Sequence, residues 1–118
     1  MSATIVGFEP NTPSPWGPIQ GAERLAEGIT SVWTASHGGI HLSCERLAAM
    51  PITLRRVVRD PGSRWFEEDC EWCAVALSFP EAFPTPPHHD GPPISYIAER
   101  TLRHYYPSAA AEFLGVQS

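Results

Sequence analysis

Two clusters of proline confine the regular structure of this chain to the stretches between and after them. Pro10, Pro13, Pro15 and Pro18 form the first, and Pro80, Pro84, Pro86, Pro87, Pro92 and Pro93 the second. Proline lacks a backbone donor and restricts the residue before it, so residues 10–18 and 80–93 are expected to be extended or looping. The second cluster is too short to link two domains. At 118 residues the chain has room for one modest core, and residues 1–118 are expected to form one domain.

Between the clusters, Ile29-Thr30-Ser31-Val32-Trp33-Thr34-Ala35 is rich in β-branched and aromatic residues and reads as a strand. Ser36-His37-Gly38-Gly39 supplies turn chemistry and Ile40-His41-Leu42 resumes the alternation, so a hairpin is expected. Residues 19–27 suit either a helix or a third strand, and the strand is preferred. Ser43 is placed to cap a helix, with Glu45 at its positive end and Leu42 and Leu47 at hydrophobic-staple spacing. Pro51 ends that helix or starts another, and Asp60-Pro61-Gly62 reads as a turn. From Trp65 to Phe79, Phe66, Cys70, Cys73 and Leu77 recur at helical spacing and predict one amphipathic helix. A further helix is expected from Ile94 to Tyr106, with Ile97, Ala98, Leu102 and Tyr105 inward; Pro107 stops it, and Ser108 is placed to cap a last short helix that Gly115 ends. The fold class is therefore α+β: a small antiparallel sheet, hairpin or three-stranded meander, packed on about three helices.

Several groups could carry chemistry. Cys70-Glu71-Trp72-Cys73 has C-x-x-C spacing, suited to a metal or a redox pair, but both cysteines fall on the apolar stripe, where cysteine behaves as a small hydrophobe. His37, His41 and Cys44 have ligand-like spacing, yet the Gly38-Gly39 pair argues for a turn on which the histidines need not converge. Those glycines permit either a positive φ or the close approach of another part of the chain. No metal and no cofactor is expected. His88-His89-Asp90 lies in the proline-rich loop, and neither a phosphate loop nor a dinucleotide fingerprint is present. Glu67-Glu68-Asp69 with Glu71 is the densest charge cluster. At the start of a helix these carboxylates are stabilised by the dipole, and their number exceeds what capping needs.

The formal net charge is −5 and all eight basic residues are arginines. That balance disfavours binding to a phosphate backbone, including a DNA-processing accessory role, and favours a basic partner. Three cysteines, an odd number, with neither an export signal nor a long apolar run, predict free thiols, a cytoplasmic location and no membrane contact.

The combination Trp16-Gly17, Gly28-Ile29, Thr34-Ala35-Ser36-His37-Gly38-Gly39, Leu42-Ser43, Glu45-Arg46 and Trp65-Phe66-Glu67-Glu68-Asp69-Cys70-Glu71-Trp72 resembles an uncharacterised family of small domains. Its members are found on plasmids, phages and other mobile elements of GC-rich bacteria. The similarity spans roughly residues 15–107, with "SHGG" and "WFEEDCEW" its distinctive parts. The resemblance implies a mobile-element accessory protein. The expected function is a non-enzymatic interaction protein, an inhibitor of a host defence system of the anti-CRISPR kind. Its partner would be a protein or nucleoprotein with a basic surface, such as a CRISPR effector. Glu67, Glu68, Glu71, Trp72 and His37 are the expected partner-binding residues. The alternative is a small hydrolase or metal-dependent enzyme using His37, His41, Glu68 and Asp69.

Overall fold

Alternating apolar residues, a bulge and two tight turns draw residues 21–42 into three consecutive strands. A computed structural model describes residues 5–58, 60 and 62–115. β1 (Gly21–Ala26) pairs antiparallel with β2 (Ile29–Trp33), with a bulge between Arg24 and Ala26, and β2 pairs antiparallel with β3 (Gly38–Leu42). Residues 19–27 thus supply the third strand, as preferred. Gly38 and Gly39 lie inside β3 and not in the turn, which is closed instead by Thr34 and His37. Neither glycine has a positive φ.

Ser43 caps α1 (Cys44–Ala49) through an Arg46 N–H bond to its Oγ, and Pro51 precedes the short α2 (Ile52–Arg55). Pro61 lies outside the described residues; across it, Ser63 N–H donates to the Asp60 carbonyl at 3.0 Å.

The expected helix over residues 65–79 is the main departure. Trp65–Glu67 forms a fourth strand, β4, antiparallel to β3, with Phe66 opposite Ile40 and Trp65 opposite His41. The chain then turns through residues 68–71, and α3 runs only from Trp72 to Ser78. The backbone donors and acceptors along β3 need partners, and β4 satisfies them. Phe66, inward on a strand, and Cys73, inward on a helix, mimic one helical stripe because residues 66 and 73 stand about two helical turns apart in sequence. After a 3-10 turn at Pro80–Ala82 and the proline-rich loop, α4 spans Ile94–Tyr105 and α5 Pro107–Leu114. Pro107 stands at the first position of α5, where its missing N–H costs nothing, and Ser108 makes no cap. Tyr105 is 52% exposed; Tyr106, at the junction, packs against the core instead.

The result is an α+β fold with sheet order β1-β2-β3-β4 and, among the described residues, five α-helices. One face of the sheet, carrying Ile29, Ile40, Leu42 and Phe66, packs on Leu54, the Cys73–Ala76 run, Ala98, Leu102 and Ala110. The other face is crossed by the proline-rich N-terminal segment. Trp16 lies over Gly39 and meets Trp65 edge-on at 5.6 Å, while Phe8 meets His41 at 5.0 Å. Ile19 and Val32 are buried outside the helix-side core.

Candidate functional site

Strand alternation sends Ile29, Ser31 and Trp33 to the helix side of β2, but Trp33 lies at the strand's end and remains 46% exposed. Its cross-strand neighbours are both glycine, Gly21 on β1 and Gly38 on β3. A side chain at position 21 would run into the indole, whose Nε1 lies 2.6 Å from where a Cβ would stand. The indole therefore lies flat across backbone. Trp72 at the start of α3, Phe83 after the 3-10 turn, and Trp33 together line a cavity of about 250 Å³, to which Ser31, Ile40 and Glu68 also contribute.

Glu68 reaches this cavity through the acidic turn. Its N–H donates to the Gly38 carbonyl at 3.0 Å, and its Oε2 lies 3.0 Å from where a Cβ on residue 38 would be. The Val32 carbonyl oxygen lies 2.8 Å from the same point. The two glycines of the SHGG segment thus admit different neighbours: Gly38 the Glu68 carboxylate on one face, Gly39 the Trp16 ring on the other. This is the close approach, not the positive φ, that a glycine pair allows. His37 is set by its turn. Its N–H donates to Thr34 Oγ1 at 3.1 Å, and the Thr34 N–H donates to its carbonyl at 2.7 Å. The ring Nδ1 lies 3.9 Å from Glu68 Oε1, with both side chains about half exposed.

Two of the other carboxylates of the cluster, Glu67 and Glu71, have structural duties, while Asp69 is exposed. Glu67 accepts N–H bonds from Asp69 at 2.8 Å, from Glu71 at 3.0 Å and from Cys70, and Glu71 in return accepts the Glu67 N–H at 3.0 Å. This reciprocal clasp closes the turn before α3. Burial pushes the Glu67 carboxyl up, but the backbone donors outweigh it and hold it below its ordinary value. Glu67 and Glu71 are accordingly only partly exposed, whereas Glu68 and Asp69 are exposed. Burial and then the Glu67 charge raise the Cys70 thiol, and burial with the neighbouring Cys70 pushes Cys73 up to about 12. Both stay protonated and poorly nucleophilic at neutral pH.

His41 does not join this group. Alternation places it with Gly39 on the opposite face of β3, in edge contact with Trp65 at 4.5 Å. Burial, then the Arg64 charge, lowers its pKa to about 4. Cys44 is likewise elsewhere, exposed on α1 with its Sγ accepting from Arg64 at 3.4 Å. Among the described residues no three His, Cys, Asp or Glu side chains are grouped to hold a metal ion, and no helix is long and apolar enough to cross a membrane.

Of the residues expected to bind a partner, Glu68, Trp72 and His37 meet at one place, and Glu67 and Glu71 support the turn beneath. Trp33 and Phe83 carry no local signal of a site, one lying in a β-rich run and the other in the proline-rich loop, and only the fold brings them together. A wider depression of about 660 Å³ runs along α4, with Arg100, Arg103, His104 and Tyr105 among its lining; the lining described belongs to a single helix. No curated protein and no solved structure matches the chain. A family model described as "Domain of unknown function (DUF7007)" matches residues 9–117, and the chain belongs to that family.

Proposed function

We propose that this protein is a non-enzymatic interaction module that engages a basic surface on a protein or nucleoprotein partner, and that it inhibits a host defence system. The observation that carries the reading is the division of labour in the acidic turn: Glu67 and Glu71 are bonded to backbone, while Glu68 stands half exposed beside an aromatic cavity. A carboxylate that accepts no backbone N–H bond among the described residues, held on a clasped turn, suits attraction of a basic surface. A mobile-element origin, which the sequence resemblance implies, gives the class of partner: a defence complex whose nucleic-acid groove is basic. The hydrolase reading retains the His37–Glu68 pair but loses His41, which packs among aromatic rings on the other face.

The test compares capture from host lysate by the wild-type protein and by Glu68→Arg, with circular dichroism and melting temperature checked on both. The expected result is a nucleoprotein subunit recovered by the wild type and depleted about tenfold or more by the variant, with the fold intact, since attraction becomes repulsion. Equal recovery by both, or recovery of nothing above the control, would overturn the proposal.

A further inference from the structure

We propose that the cavity between Trp33, Trp72 and Phe83 is a receptor for a single arginine side chain of the partner protein, its guanidinium stacked on an indole and paired with Glu68. This rests on the interaction reading above and names what the site holds.

Three observations point to that occupant. First, Trp33, Trp72 and Phe83 contribute rings to the lining beside the aliphatic Leu25 and Ile40, and Trp33, whose indole rests on Gly21 on one side, stays half exposed, so a flat group can lie on its other face. Second, among the described residues the one charged group lining the cavity is the Glu68 carboxylate. An apolar side chain seated there would strip water from that carboxylate and return nothing, and an anion would be repelled by it. Glu23, exposed and directly across from Ser31 in register, adds negative charge on the same face. Third, the ligand must be both planar and cationic to use both features. Guanidinium is planar, weakly hydrated and donates in a fork that matches a carboxylate, whereas ammonium is a compact, strongly hydrated point charge that gains less from stacking. His37, 3.9 Å from Glu68 Oε1, flanks the carboxylate on one side and limits where the arriving cation can sit.

The experiment titrates the intact protein with N-acetyl-arginine methylamide and follows the indole N–H resonances of Trp33 and Trp72. Parallel titrations use the citrulline analogue, the lysine analogue and free L-arginine. Saturable binding with Kd of about 1 mM is expected for a lone residue. The neutral, isosteric citrulline analogue should bind about tenfold more weakly or worse, and Glu68→Gln should erase the difference while keeping its melting temperature. Equal binding of citrulline would mean an apolar slot, and equal binding of lysine a general cation site; either overturns the proposal. So would tighter binding of free L-arginine than of the blocked probe, which would make this a small-molecule site. If no probe binds yet Glu68→Arg still loses the captured partner, the receptor is wrong and the interaction reading stands. If arginine binds selectively yet no partner is captured, the reverse holds for the interaction reading.

Discussion

At position 41 a histidine sits in a strand among the rings of Phe8 and Trp65 with the Arg64 charge nearby, and its proton has become costly in the fold. Its pKa falls from an ordinary 6.5 to about 4. Between those values the unfolded chain binds a proton that the folded chain refuses, so stability is full above about 6.5 and declines as the pH drops toward 4. The ring is only partly buried, so solvent screening trims the loss to about 1–2 kcal/mol. His41→Phe, which keeps the ring contacts and removes the titration, should flatten the melting temperature between pH 7 and pH 5. An unchanged slope in the variant would mean that other groups carry the acid sensitivity. Below about 4.5 the depressed Glu67 carboxyl adds to the loss, because protonation weakens its hold on the turn.

That turn is the element on which the candidate site depends. Glu67 and Glu71 clasp each other's backbone across residues 67–71, much as a capping box joins a helix's first turn to its cap. Bonds from backbone N–H to an ionised carboxylate are stronger than neutral ones, and leaving the donors unmet costs more than the bond was worth. Glu67→Gln should therefore destabilise the protein by about 1–2 kcal/mol, read as a shift of the urea midpoint. Glu68→Gln should leave the midpoint within about 0.5 kcal/mol, as expected for an exposed position. Two neighbouring glutamates of identical chemistry would then differ in stability while differing oppositely in partner binding. Equal effects on stability would show that the clasp contributes nothing specific. The residue pattern hid this arrangement: Phe66, Cys70, Cys73 and Leu77 satisfy a helical period, so the whole stretch reads as helix. Three residues of β4 cannot establish a period of two against it.

On the scale of the molecule, the sheet carries two separate faces. The helix side holds the main core and, at its open end, the aromatic cavity; the far side is held by the N-terminal segment through Trp16, Phe8, Trp65 and His41. The Thr34 hydroxyl also lies 3.3 Å from the Trp16 carbonyl, tying that segment to the turn that carries His37. Trp16→Ala should cost about 2 kcal/mol, below the range for a fully buried tryptophan because this one is only partly buried. Hydrogen exchange should rise in residues 5–20 and along β3 and β4, while α3 and α4 keep their protection. A uniform rise throughout the chain would instead make the N-terminal segment part of one cooperative unit with the helices.

Much of this protein is legible from local chemistry alone. The Ser43 cap, the strand beginning at Ile29, the helix beginning at Ile94 and the stop at Pro107 each follow from interactions within a few residues, which the sequence states directly. Its acidic balance and the Glu67–Glu71 cluster are equally plain from composition. What only tertiary structure decided is which groups are left with nothing else to do. The backbone of β3 needed a partner and took β4 from a segment with helical spacing; the turn that followed engaged Glu67 and Glu71 and left Glu68 half exposed beside His37. Trp33 and Phe83 are fifty residues apart and share a cavity because the sheet and α3 bring them there. Burial and long-range pairing have no local signature, so the assignment of structural and available carboxylates in one short run waits on the fold.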